Sequence, residues 1–105
     1  TPMAGVSGPV HALALRPDGA ILVGGNFNQA GGVTTTGLAV YLPDGTVDKT
    51  FASNLEPGVS GTVLAIALQQ DGKIVIGGTF ATVAGKPRTG VARLNADGTV
   101  DAPVP

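Results

Sequence analysis

The sequence predicts an all-β chain of two antiparallel blades, about four strands each, and three observations predict it. First, the stretch Val10–Phe27 returns as Val63–Phe80, and the 53-residue spacing runs on without a gap from Asp44-Gly-Thr-Val-Asp48 to Asp97-Gly-Thr-Val-Asp101. Second, the apolar runs inside each unit have strand length, and no window keeps apolar residues at helical spacing. Third, Asp-Gly pairs at 18–19, 44–45, 71–72 and 97–98 punctuate the runs at matching places, and Asp-Gly between apolar runs is a hairpin signal. A long period made of short strands belongs to propellers and solenoids, whose units cannot bury their apolar faces alone. The units divide as 1–53 and 54–105, within one structural body.

The first strand of each unit is predicted at Val10–Leu15 and Val63–Leu68. Val63-Leu-Ala-Ile-Ala-Leu68 is apolar throughout, as expected for a strand covered on both faces. Ala12, Ala14, Ala65 and Ala67 keep one face small, so that a neighbouring sheet can approach. The second strand is predicted at Ala20–Val23 and Lys73–Ile76, where β-branched residues are frequent. Gly24-Gly25 and Gly77-Gly78 close it, and paired glycines there imply a bulge or a crowded backbone. They do not read as a phosphate cradle, because no Gly-Lys-Ser or Gly-x-Gly-x-x-Gly pattern with a following helix is present. The third strand is predicted at Leu38–Leu42 and Val91–Asn95. A weaker fourth is expected to begin in Thr46-Val-Asp-Lys-Thr-Phe51.

Composition narrows the function. Charged residues make up only 12% of the 105 residues, against roughly 25% in ordinary soluble domains. Such a bare surface is expected to be covered, by another copy or by flanking chain. The net charge is −1 and the six basic residues are scattered, so the stripe that nucleic acid requires is missing. There is no cysteine, which excludes disulfides and thiolate metal sites. No stretch reaches the roughly 18–20 apolar residues of a membrane span. Thr1-Pro-Met-Ala-Gly5 lacks the charged and apolar regions of a signal peptide, so either export uses another route or the chain is a trimmed piece.

The second unit resembles the bacterial delta-60 repeat through Asp71, Gly72, Lys73, Gly77, Gly78, Phe80, Arg93, Leu94, Asn95, Asp97, Gly98 and Asp101. The first unit departs from that pattern with Ala20 in the lysine position and Val40-Tyr41-Leu42-Pro43 in place of Arg-Leu-Asn-Ala. The resemblance implies a β-propeller repeat of uncharacterised role in secreted or surface proteins, hence an extracellular or cell-surface location. It implies no catalytic residue. The family closes its unit with Leu-Asp-x-x-Phe; Asp48-Lys-Thr-Phe51 keeps the ending, and Asp101-Ala-Pro-Val104 replaces phenylalanine with valine.

The candidate chemistry is thin. His11, the sole histidine, aligns with Leu64 in a strand and has no nucleophile or carboxylate partner nominated by the sequence. Asp44 with Asp48, and Asp97 with Asp101, supply two carboxylates per unit, short of the six to eight oxygens calcium takes. They read as turn residues, and neither a metal nor a cofactor is expected. The units differ most in the loops 26–37 and 79–90. Asn26, Asn28, Gln29, Lys86 and Arg88 are therefore the candidate ligand contacts, on the reasoning that binding residues sit on loops over a rigid scaffold.

Two blades fall short of the roughly four to eight of a closed propeller. Two periods make 106 residues and the chain has 105, so the ends are phased to meet. Copies are expected to join head-to-tail, three copies for six blades or four for eight, or the blades belong to a longer propeller. The function expected is a non-enzymatic scaffold for assembly or protein recognition. A lectin-like module binding sugar through Asn26, Asn28 and Gln29 is the alternative, weakened by 4% aromatic content without tryptophan. A fragment of a propeller enzyme ranks third.

Overall fold

Each Asp-Gly pair turns the chain back on itself as its chemistry requires. In a computed structural model, which describes residues 5–101, the Asp18 carboxylate accepts from the Ala20 amide at 2.9 Å, and Asp71 repeats the contact with Lys73 at 3.1 Å. Gly19 and Gly72 take φ of +91° and +88°, a region costly for any residue with a Cβ. These turns join β1 (Val10–Leu15) to β2 (Ile21–Gly25), and, in the second unit, β6 (Val63–Leu68) to β7 (Ile74–Gly78). A third strand completes each sheet, β5 (Leu38–Tyr41) or β10 (Val91–Leu94), giving the orders β1-β2-β5 and β6-β7-β10.

The paired glycines lie within β2 and β7 rather than after them, so the second strands start and end later than the sequence predicts. Their cause is the bulge. Pairing runs Val10↔Gly25 then Ala12↔Gly24, and Val63↔Gly78 then Ala65↔Gly77, which leaves His11 and Leu64 as the extra residues. A Cβ on Gly25 would overlap the Pro9 carbonyl oxygen, and one on Gly78 the Thr62 carbonyl oxygen. His11 is thus a bulge residue pushed to the surface of an edge strand, not a mid-strand one. Histidine and leucine hold this same bulge position in the two units, and both are exposed.

Two expectations are corrected. The fourth strand is reduced to single bridges, Tyr41↔Val47 and Leu94↔Val100, and in the first unit the chain then enters a helix, α1 (Lys49–Leu55). Asp48 caps it by accepting from the Phe51 amide at 3.1 Å, so a residue of the repeated motif starts a helix that no apolar period announces. The loops also hold small hairpins, β3 (Gln29–Ala30) with β4 (Val33–Thr34) and β8 (Thr82–Val83) with β9 (Lys86–Pro87). The closing segment with Val104 lies outside the described residues.

The second correction concerns coverage. β1 and β6 are each covered on one face only, and the uncovered faces differ. In β1 the alanines are half-buried while Leu13 and Leu15 are exposed; in β6 Ile66 and Leu68 are half-buried while Ala65 and Ala67 are exposed. The main core lies between the blades, where Leu22, Leu38 and Val40 of the first meet Val63, Ile74 and Ile76 of the second, with Phe51 and Leu55 of α1 in the same cluster. A smaller core of Val23, Phe27, Ala30, Ala39, Tyr41 and Val47 backs the first blade.

Candidate functional site

Both long loops are pinned at the same point by a serine. Ser7 Oγ accepts from the amides of Asn28 and Gln29, each at 3.1 Å, and donates to Asn28 Oδ1 at 2.9 Å. One period later, Ser60 Oγ accepts from Ala81 at 3.1 Å and Thr82 at 2.9 Å. Bridges Val6↔Ala30 and Val59↔Val83 extend each pin. The signal was present in the chain, since Gly5-Val-Ser-Gly8 returns as Gly58-Val-Ser-Gly61, upstream of the point where the apolar repeat begins.

The five loop candidates do not converge. Asn28 is engaged with Ser7, Gln29 lies in β3 and Lys86 in β9. Asn26, Gln29 and Lys86 are exposed. Arg88 bends back to donate to the Pro87 carbonyl at 2.7 Å and the Asp101 carbonyl at 3.3 Å. Clefts of about 320, 700 and 460 Å³ lie beside the end of α1 against Thr34, Thr35 and Thr36, beside the Asp44–Thr50 segment against Gly31 and Val33, and between the turns at 16–18 and 68–72, so the first two touch the later half of the first long loop. None of the five residues lines them.

The polar cluster that does form was missed as a unit. Asp101 Oδ2 accepts from Lys73 Nζ at 2.8 Å and Arg93 Nε at 2.9 Å, and Asn95 Oδ1 lies 3.4 Å from Lys73 Nζ. The aligned positions of the first blade hold Ala20, Val40 and Asp48, where the two apolar residues are fully buried and the aspartate caps α1. The two aligned aspartates therefore have different jobs. The residues that match the repeat pattern most fully build a part-buried ion cluster.

The aspartates of the four Asp-Gly pairs serve their turns. The Thr46 hydroxyl, donating to Asp44 at 2.6 Å, and the Thr46 amide hold Asp44 below its ordinary value of 3.8. Thr99 does the same for Asp97, and the Ala20 amide, with Arg16, for Asp18. A carboxyl lowered by folding stabilises the fold above its unfolded value and loses that contribution as pH falls through its folded value. Stability is therefore expected to decline below about pH 4, and the double change Asp44→Asn, Asp97→Asn to flatten that decline. Urea midpoints at pH 5 and pH 3 measure it; an unchanged slope contradicts the assignment. Burial pushes the Tyr41 phenol up, opposed by the Gly31 backbone.

Among the described residues, no three histidine or carboxylate side chains come together in a group that could hold a metal ion, and no helix is long and apolar enough to cross a membrane. No curated protein and no solved structure matches the chain. A family model described as a domain of unknown function (DUF5122) beta-propeller matches residues 16–51 and 69–102. The two matches begin 53 residues apart and span β2 to α1 and β7 to the ion cluster. With both blades matched over more than half of its length, the chain belongs to this β-propeller family.

Proposed function

We propose that the chain is a non-enzymatic propeller repeat module, a scaffold for assembly or protein recognition whose copies associate head-to-tail into a closed ring. Three copies would give six blades and four would give eight. We also assign the repeat to the delta-60 type, supported by the interlock of Lys73, Arg93 and Asp101. The observation that carries the scaffold reading is the state of β1, the first strand of the first blade. Val10, Leu13 and Leu15 stand exposed, although their counterparts Val63, Ile66 and Leu68 are buried or half-buried by the first blade. Large apolar patches on a surface mark contact sites, and a contact that repeats head-to-tail closes a ring when its rotation allows.

Light scattering after size exclusion tests the reading. A single species at a small multiple of 10.3 kDa is expected. A monomer that persists into the high-micromolar range contradicts it.

A further inference from the structure

The interface that the chain builds with itself is a template for one it can build with another copy. Strand alternation and register place Leu22, Gly24, Leu38 and Val40 on one side of the first blade, turned toward the second. Their counterparts in the second blade, Val75, Gly77, Val91 and Arg93, share the side turned away from the first. Likewise Val63, Ile66 and Leu68 face the first blade, and their counterparts Val10, Leu13 and Leu15 lie on the outer side of the first blade. The pair of blades thus ends in two different faces, which correspond to the two halves of its own internal interface.

The exposures follow that correspondence. Val63 is 0% exposed and Val10 42%; Leu38 is 0% exposed and Val91 45%; Leu13 and Leu15 reach 66% and 73%. The glycines add an independent observation. A Cβ on Gly24 would lie 2.6 Å from Val63 Cγ1 and 3.0 Å from Ile66 Cδ1, so the neighbouring blade is what excludes a side chain there. Gly77 is the same residue one period on, yet a Cβ on it would meet only the Gly90 carbonyl oxygen at 3.7 Å. Nothing within the described fold needs glycine at 77. A neighbour carrying valine and leucine in the places of Val63 and Ile66 would need it, and Val10 and Leu13 are those residues.

We propose that the Ala65–Ala67–Val75–Gly77–Val91 face of one copy receives the Val10–Leu13–Leu15 edge of a second copy, in the register of the internal interface. The proposal rests on the scaffold reading above and names its contact surface. The alanines and glycine make the receiving face shallow enough for the three larger side chains to enter. Arg93 lies on that face opposite Val75, in the place that the buried Val40 takes in the internal interface, and it and Lys73 are already paired with Asp101, so the contact brings no unpaired cation against the apolar edge.

The chain has no cysteine, which makes cross-linking clean. An ideal Cβ on Gly24 lies 3.2 Å from Val63 Cβ, near the roughly 3.5–4.5 Å of a disulfide. The double variant Val10→Cys, Gly77→Cys is therefore expected to link copy to copy on oxidation, giving a ladder on a non-reducing gel that stops at the ring. Gly77→Val is expected to keep the circular dichroism spectrum of the parent while its mass falls to that of the monomer, with dissociation at least about tenfold easier. An oligomer whose mass Gly77→Val leaves unchanged, or a double variant that forms no ladder, overturns the surface assignment and leaves the scaffold reading standing. A ladder without an end supports the surface and refutes ring closure. A parent chain that is monomeric overturns both.

Discussion

Phe51→Ala is expected to remove about 3–5 kcal/mol of stability, the range for a fully buried aromatic side chain cut back to alanine. Phe51 is fully buried in the cluster that joins the blades. It reaches the second blade at the Asp97-Gly98 turn, where a Cβ on Gly98 would lie 3.1 Å from its ring. Asn54 donates to the Asp97 carbonyl at 2.8 Å beside it. Total stability in a domain of this size is about 5–15 kcal/mol, so the loss is a large fraction of the whole. The melting temperature is expected to fall by more than about 10 °C. Thr50→Ala, one residue away and exposed, is expected to stay within about 0.5 kcal/mol. A Phe51→Ala loss below about 1 kcal/mol means that α1 is not docked between the blades.

Gly25→Ala and Gly78→Ala are expected to be the next most damaging changes, at about 1–3 kcal/mol each as overpacking against a well-ordered neighbour. The obstacle in both is the carbonyl oxygen of the residue just before the bulged strand, Pro9 before β1 or Thr62 before β6, and main chain cannot step aside as the tip of a side chain can. Gly77→Ala, one residue away in the same strand, has space and is expected to be close to neutral in the monomer. Chemical denaturation of the three variants at low concentration separates them. Equal midpoints for Gly77→Ala and Gly78→Ala would show that no bulge is present.

The architecture was legible because it rests on strong local chemistry said twice. The turns at 18–19 and 71–72, the three main strands of each blade and the bulge hinted at by paired glycines all follow from residues within a few positions of one another. What failed depends on neighbours. The apolar run Val63–Leu68 looked covered on both faces because sequence does not say how many blades stand beside it. α1 escaped because a seven-residue helix gains its stability from Phe51 and Leu55 packing between sheets, not from its own periodicity. The hairpins β3–β4 and β8–β9 have two-residue strands, too short for alternation to show. The loop candidates stand apart from these failures; two of them, Asn28 and Arg88, also hydrogen-bond within the fold. The serine pins and the Asp101 cluster carried a readable signal, a polar residue repeated at the period of the core.

The divided role of Asp48 and Asp101 constrains any redesign of the chain. One motif position serves as a helix cap in the first unit and as the acid of an ion cluster in the second. Where the segment after aspartate turns into a helix, the lysine and arginine positions hold Ala20 and Val40, dry and in the same cluster as Phe51. In the second unit lysine and arginine hold those positions around their acid. The three positions therefore differ together between the two units. A consensus design that writes lysine and arginine into positions 20 and 40 would drive two cations into a sealed interior, away from an aspartate that is already committed to capping α1.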